Sequence, residues 1–270
     1  MSNFLSVITS DILKKIGFSN NDYVTQNAVR KQTIKKSNNA AFANMNKADK
    51  RFFVRNFRLG GVAPSAANWS SVCWSAELGM FVAIAYGSTA TMKSYDGITW
   101  TASGVAQGAS WYSVCWSPEL GMFVAIASGV VPPMRSYDGI TWTLSGVAPS
   151  SPSWRSVCWS PELGMFVAIA YNSTATMKSY DGITWTSSGN APLAYWTSAC
   201  WSPELGMFVA ISTSSTATMK SYDGITWTLS GNAPSTSPWY SVCWSPELGM
   251  FVAIANGSTA TMRSLSLKEY

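Results

Sequence analysis

The segment Trp116-Ser-Pro-Glu-Leu-Gly-Met-Phe-Val-Ala-Ile126 recurs almost letter for letter five times in this 270-residue chain. The copies begin at Trp74, Trp116, Trp159, Trp201 and Trp244, with spacings of 42, 43, 42 and 43 residues. A period in the low forties, rich in Val, Ile, Thr, Trp and Tyr and broken by Gly, Pro and Asp-Gly, is typical of a ring of four-stranded blades. We therefore predict an all-β fold with one blade per repeat.

One repeat shows how four strands fill the period. The predicted strands are residues 111–117, 122–127, 134–137 and 140–144. The Pro-Glu-Leu-Gly tetrapeptide predicts a tight turn after the first strand, and Asp-Gly predicts a hairpin turn after the third. Met122 begins a continuous apolar run, which indicates a strand buried on both faces.

The two ends of the repeat region predict how the ring closes. The last copy ends near Ser264 without an Asp-Gly turn or a fourth strand, whereas residues 56–64 match residues 141–149, a fourth strand with its following loop. We predict that residues 52–62 supply the missing strand and complete a five-bladed β-propeller over residues 51–270. Closure of this kind removes exposed sheet edges, so loss of these residues should open the ring and cause aggregation.

Residues 1–50 are predicted to form a separate basic arm. Leu5, Ile8, Ile12 and Ile16 have helical spacing, which predicts a short amphipathic helix, and residues 19–50 are predicted to be a linker. Residues 1–58 contain eleven Lys or Arg against three Asp, a net charge of +8, whereas the remainder has a net charge of −3. Such an arm could bind nucleic acid, an anionic membrane or an acidic protein, or could be a solvated leader.

The amino-acid composition argues against disulfide bonds, a metal site and a membrane span. The five cysteines occupy the same position in each repeat, so we expect free, buried thiols, as in a protein that folds in a reducing compartment. The chain contains no histidine and no Cys-x-x-Cys pair, and we expect neither a metal nor a cofactor. No apolar run is long enough to span a bilayer, and the start does not resemble a signal peptide.

A second repeated segment, Ser-Tyr-Asp-Gly-Ile-Thr-Trp, begins at Ser94, Ser136, Ser179 and Ser221. It resembles the Asp-box of sialidase-like (BNR-type) propellers, although it is one residue shorter between Asp and Gly than the common form. In that family the box is a folding device on the face away from the ligand. The resemblance therefore implies a structural role for Asp96, Asp138, Asp181 and Asp223.

The acidic residues of the repeat region do not indicate an enzyme. A glutamate occurs in the first turn of every repeat, whereas a catalytic acid pair needs two carboxyl groups in different environments. A sialidase-like enzyme would also need a cluster of arginines for a carboxylate, and the repeats contain only Arg135, Arg155 and Arg263. We expect no enzymatic activity.

The candidate ligand-binding residues lie where the first strand begins and in the loops that differ between copies. The tryptophan that precedes each Cys by four residues predicts either packing between blades or an aromatic platform for sugars. The loops between blades and those between second and third strands vary, and both sets are expected on one face. The candidates are Tyr86, Trp111, Tyr112, Trp154, Arg155, Tyr171, Tyr195, Trp196, Trp239 and Tyr240.

The repeats also resemble those in tail and surface proteins of bacteriophages and large DNA viruses. This resemblance implies a non-enzymatic virion or tail protein whose propeller binds a host-surface glycan or protein receptor. The arm would anchor it to other virion proteins, and the protein would be found in the virion or, before assembly, in the host cytoplasm. The alternatives are a scaffold protein whose arm binds partners, and a sialidase-like glycosidase; a homo-oligomer is compatible with each.

Overall fold

The computed structural model describes residues 60–150, 152–213 and 215–265, which belong to a compact unit, Gly60–Tyr270. These residues form fifteen strands, paired antiparallel throughout, and contain no helix. None of these segments is therefore a long apolar helix that could cross a bilayer. The predicted helix and linker of residues 1–50 lie outside the described residues, and the proposed domain boundary stays a prediction.

The strands group into a twelve-stranded sheet and a three-stranded sheet. They are β1 (Asn68–Ser75), β2 (Met80–Ser94), β3 (Thr101–Ser117), β4 (Met122–Ser128), β5 (Met134–Ser136), β6 (Thr143–Leu144), β7 (Ser153–Ser160), β8 (Met165–Ser179), β9 (Thr186–Ser202), β10 (Met207–Thr213), β11 (Ala217–Ser221), β12 (Thr228–Asn232), β13 (Trp239–Ser245), β14 (Met250–Ala255) and β15 (Thr261–Arg263). Five structural repeats are visible in this order, which we call units I to V, and their first strands begin at Asn68, Ser110, Ser153, Tyr195 and Trp239. Units I to IV have four strand segments each: β2 and β8 contain the second and third segments of units I and III, and β3 and β9 join the fourth segment of a unit to the first strand of the next. Unit V has the three strands β13 to β15.

The register of the first hairpin separates the variable loops from the constant turns. In unit I, Ser75 pairs with Met80 beside the first turn, and Asn68 pairs with Tyr86 at the other end. Unit III repeats this pattern, with Ser153 opposite Tyr171. The loop that enters the first strand and the loop that leaves the second therefore lie at the same end of the hairpin.

The Asp-Gly turn is longer than the sequence predicts. In unit II the fourth strand was expected at residues 140–144, but β6 contains only Thr143 and Leu144. The reason is that the Asp138 carboxylate accepts hydrogen bonds from the backbone N–H groups of Ile140 and Thr141, at 2.8 and 2.7 Å. Those amides are used in the turn and cannot enter the strand ladder.

The same arrangement occurs in all four copies of this turn. Asp96, Asp181 and Asp223 each accept the equivalent two backbone bonds at 2.8 and 2.7 Å. At Asp96, the bonds from Thr99 and Ile98 lower the pKa of the carboxyl to about 2. At the other three, burial raises the pKa, but the hydrogen bonds from backbone amides and from Ser and Thr hydroxyls together outweigh it and lower the pKa overall. The turn therefore stabilises the ionised form of each Asp.

Adjacent units pack through the glycine of this turn. Gly139 of unit II has a φ of 68°, and a Cβ there would lie 2.5 Å from Met80 Cε and 2.7 Å from Val82 Cγ2 of unit I. Gly182 and Gly224 face the corresponding methionine and valine of the preceding unit in the same way. The Asp-Gly turn is thus a wedge against the buried second strand of the neighbouring unit.

A hydrogen bond at the first turn also links each unit to the next. The glutamate of the turn accepts a bond from the indole N–H of the tryptophan that ends the next first strand. The four pairs are Glu77 with Trp116, Glu119 with Trp159, Glu162 with Trp201, and Glu204 with Trp244, at 2.6 to 2.7 Å. These repeated glutamates have a structural role between units, which explains why every copy retains one.

The predicted closure of the ring stays a prediction, because most of residues 52–62 lie outside the described residues and the two sheets do not join. Gly61, however, occupies an informative position. A Cβ on Gly61 would overlap the carbonyl oxygen of Ile98 in the Asp-Gly turn of unit I. Gly104 has the same relation to Ile140, and Gly189 has it to Ile225.

Candidate functional site

The first strands of all five units line one cavity of about 530 Å³. Each strand contributes an invariant serine and the residue directly before it. The residue before the serine differs between units: it is Ser70, Tyr112, Arg155, Thr197 and Tyr240 in turn. The cavity therefore combines a repeated framework with one variable position per unit.

The invariant serines have a structural role. Ser71 Oγ accepts a hydrogen bond from Val114 N of the next unit at 3.1 Å, and Ser156 Oγ accepts one from Ala199 N at 3.0 Å. Ser113 and Ser198 make the equivalent bonds at 3.2 Å. The serines therefore join adjacent first strands, whereas the variable position before them is free to differ.

Two of the variable residues also stabilise this framework. Ser70 Oγ donates to Trp111 O, and Thr197 Oγ1 donates to Trp239 O, both at 2.8 Å. Tyr112, Arg155 and Tyr240 have larger side chains at the same position and line the cavity. The chemical differences within the cavity therefore come from these three residues.

Four tyrosines and one arginine form a continuous surface beside the cavity, which we call the tyrosine arc: Tyr86, Tyr112, Arg155, Tyr171 and Tyr195. The ring centroids of Tyr86 and Tyr112 are 5.1 Å apart, and so are those of Tyr171 and Tyr195. The Arg155 guanidinium lies between the pairs, 3.9 Å from the Tyr112 ring centroid and 5.3 Å from that of Tyr171. These distances are within the range of cation–π contact.

The arc spans four adjacent units although its residues are far apart in sequence. Tyr86 and Tyr171 lie at the ends of the second strands, opposite the first residues of the first strands. Tyr171 also pairs with Tyr195 between β8 and β9. Tyr86 and Tyr195 are 41% and 40% exposed, so solvent and ligands can reach both ends. Three residues of the arc, Tyr86, Tyr112 and Arg155, line the cavity.

Arg155 is the single charged residue among the described residues that line the cavity. Hydrogen bonds with Ser110 and Tyr112 lower the pKa of the Tyr86 hydroxyl, and the charge of Arg155 contributes. Burial raises the pKa of Tyr112, and its hydrogen bond with Tyr86 adds to this, whereas Arg155 opposes it. The site is therefore rich in hydroxyl groups and carries one positive charge.

The structure favours the packing alternative for the candidate tryptophans. Trp111, Trp154, Trp196 and Trp239 are 0 to 1% exposed and belong to the hydrophobic clusters between units. Large apolar rings at this repeated position fill the space between diverging sheets, so no face is left for a sugar. The packing alternative applies to all four.

The five cysteines are free thiols, but they are less buried by accessible area than expected. Cys73, Cys115, Cys158 and Cys200 are half-buried, and Cys243 is exposed. Each follows the invariant serine by two residues and so lies on the same side of its strand. Burial raises the pKa of Cys73 and Cys200 to about 11 and that of Cys115 and Cys158 well above 9.0. These four thiols are protonated and unreactive at neutral pH.

No group of three or more His, Cys, Asp or Glu side chains in the described part of the chain is arranged to bind a metal ion. The four Asp of the Asp-Gly turns do not line the cavity. Their carboxylates are instead directed to backbone amides, as described above.

Comparison with known proteins identifies the architecture. No protein-family model and no curated relative matches the sequence. Among solved structures, a nidogen/laminin complex matches with a TM-score of 0.61 at 9% identity, over 76% of this chain and 78% of that one. The fold is β-propeller-like.

Two further structures support this assignment. YCF48 bound to D1 peptide matches with a TM-score of 0.54 at 18% identity, over 72% of this chain and 62% of that one. A catalytically inactive virginiamycin B lyase from Staphylococcus aureus with quinupristin matches with a TM-score of 0.59 at 8% identity, over 76% and 72%. Identities this low show the fold alone.

Sequence reasoning missed part of the cavity lining of this β-propeller-like fold. It named Tyr86, Tyr112, Arg155 and Tyr240, which the structure places at the cavity, but not Ser70 or Thr197. A comparison of the five first strands position by position contains the missing signal. In every first strand a constant Trp and a constant Ser flank one residue that differs between units. This variable residue lines the cavity.

Proposed function

We propose that this protein is a non-enzymatic recognition module that binds a host-surface glycan or protein receptor at the mouth of its central cavity. The tyrosine arc carries this proposal. Solvent-accessible aromatic rings that are contiguous and surround an arginine are typical of binding surfaces rather than of packing. Residues required only to build each unit would recur in every copy, and the arc residues do not.

The chemistry of the cavity favours binding over catalysis. The described lining residues include no carboxylate and no cysteine, and the sequence has no histidine to act as a general base. One structural neighbour is a lyase, described in a catalytically inactive histidine variant. Two other structural neighbours are complexes, a nidogen/laminin complex and YCF48 bound to D1 peptide, which is compatible with ligand sites on this fold.

We also propose that the ring has five blades and is closed by residues 52–62. The position of Gly61 supports this, because its relation to Ile98 repeats the relation of each fourth-strand glycine to the turn of the following unit. Residues 52–62 would then be the fourth strand of unit V, which has only β13 to β15. The Asp-Gly turns, with their two backbone bonds to each carboxylate, support the resemblance to Asp-box propellers.

The placement on a virion or tail, with residues 1–50 as an anchor, rests on the resemblance of the repeats to phage and viral proteins. Electron microscopy of purified particles with a labelled antibody would test it. Labelling at a tail or surface projection supports the proposal. Absence of the protein from particles contradicts it and favours a scaffold protein, whose arm alone should retain every partner in a pull-down.

The binding proposal is tested by replacing three tyrosines of the arc. A glycan array and a panel of host-surface proteins are probed with the full chain and with the triple variant Tyr86→Ala, Tyr171→Ala and Tyr195→Ala. The matched control replaces three exposed tyrosines of the Asp-Gly turns, Tyr137, Tyr180 and Tyr222, which are 53 to 58% exposed. Binding that the arc variant loses and the control retains supports the proposal. No binding to either panel, or equal loss in both variants, contradicts it.

A further inference from the structure

The arginine of the arc is the feature that no other unit repeats. At the equivalent positions the other four first strands carry hydroxyl side chains, Ser70, Tyr112, Thr197 and Tyr240. Arg155 is half-buried at the cavity, and no carboxylate occurs among the described residues that line it. The local charge is therefore positive and is not balanced within the cavity.

The contacts of Arg155 orient its guanidinium group. The Tyr112 ring lies 3.9 Å from the guanidinium carbon and the Tyr171 ring 5.3 Å away. Contact with two aromatic rings restricts the rotation of the guanidinium, whose N–H groups lie in its own plane. A planar fork of donors matches a carboxylate through two parallel hydrogen bonds, and the loss of side-chain entropy on binding is reduced when the fork is already oriented.

The surroundings of Arg155 favour a sugar over a peptide. Hydroxyl groups dominate the lining, which includes Tyr86, Tyr112, Tyr240 and the serines of the five first strands. Hydroxyl groups both donate and accept, so they can satisfy sugar hydroxyls whose own orientation varies. The arc supplies aromatic faces for the apolar side of a sugar ring, and the cavity volume of about 530 Å³ lies in the usual range for small-ligand sites.

We propose that this site binds an acidic sugar, with the sugar carboxylate on the Arg155 guanidinium and the ring against Tyr112 and Tyr86. This inference rests on the proposed recognition function and narrows its ligand to one chemical class. Since a peptide C-terminus presents the same carboxylate, it is the competing ligand that the experiment must distinguish.

The test uses calorimetry on the full chain with D-glucuronic acid, D-galacturonic acid and N-acetylneuraminic acid. The methyl ester of each sugar is the ligand control, because it keeps the ring and hydroxyls and removes the charge. We expect at least one acid to bind about tenfold to a hundredfold more tightly than its ester, as for a hydrogen-bonded charged group. Equal affinity of acid and ester, or binding of none of the three acids, overturns the inference.

Three variants assign the effect to Arg155. Arg155→Gln should remove the difference between acid and ester, and Arg155→Lys should restore part of it, because lysine keeps the charge without the fork. Lys178→Gln removes one charge from the exposed side of the same unit, near Tyr180, and should leave the difference unchanged. A difference that survives in Arg155→Gln, or that disappears equally in Lys178→Gln, overturns the inference.

The outcomes separate this inference from the proposed function. If neutral sugars bind as well as acids and the arc variant abolishes both, the recognition function stands and the acidic ligand is wrong. If a short peptide binds more weakly when its C-terminus is amidated while no acidic sugar binds, the site recognises a protein carboxylate and the acidic-sugar inference is also wrong. If no glycan, peptide or receptor binds, both fail.

Discussion

Substitution of one wedge glycine should weaken the packing between two units by a measurable amount. In Gly139→Ala the new methyl group would lie 2.5 Å from Met80 Cε and 2.7 Å from Val82 Cγ2. Met80 can shift its terminal methyl, but Val82 is fully buried and β-branched, so the strands must move apart. Overpacking of this kind costs about 1–3 kcal/mol. The positive φ of 68° adds about 1–2 kcal/mol for any residue with a Cβ.

The matched control is Gly121→Ala in the first turn of the same unit. Its φ is 62°, nearly the same, but no atom lies within 4 Å of the added Cβ. The difference in unfolding free energy between the two variants therefore isolates the packing cost, which we expect to be about 1–3 kcal/mol. Urea unfolding followed by tryptophan fluorescence measures it. Equal stability of the two variants would refute the wedge as the contact that couples adjacent units.

The remaining predictions concern closure, acid stability and thiol reactivity. In a closed ring Met250 and Val252 face Gly97, so Gly97→Ala should cost as much as Gly139→Ala in urea unfolding; a cost equal to that of Gly121→Ala would indicate an open ring. The lowered pKa values of the four turn aspartates stabilise the fold above their unfolded-state value of about 4. This contribution is lost as pH falls through the folded-state pKa, which is about 2 at Asp96. Replacement of all four aspartates by Asn should therefore reduce the slope of melting temperature against pH between about pH 4 and about pH 2. A slope unchanged in the Asn variant contradicts this. Cys115 and Cys158 should resist iodoacetamide in the native protein at about pH 8 and react after unfolding, as peptide mass spectrometry would show. Rapid modification of the native protein would contradict the raised pKa of these thiols.

The repeat period was sufficient to predict an antiparallel all-β fold with strands in nearly the right places, because every copy must bury the same apolar run. Met122 begins the second strand of unit II, as the pattern indicated. The fourth strand was placed too early because the Asp138 carboxylate accepts local hydrogen bonds from the amides of Ile140 and Thr141, which lengthen the turn beyond the two-residue Asp-Gly hairpin that was assumed.

The candidate site was predictable in part for a similar reason. Variation between copies identified Tyr86, Tyr112, Tyr171 and Tyr195, but it could not show that these residues adjoin one another through Arg155. That contact depends on how adjacent first strands approach each other around the cavity. The sequence left the tryptophans open between packing and sugar binding because a large aromatic residue at a repeated position suits both, and their burial favours packing.

The hydrogen bond from each glutamate to the tryptophan of the next unit has a consequence for how such a protein can evolve. Both partners belong to the segment that every repeat shares, as do the serines that join adjacent first strands. A unit copied or exchanged by recombination therefore meets a matching neighbour at both of its interfaces. The residue before the serine, which lines the cavity, can then differ between units while these hydrogen bonds between units are kept.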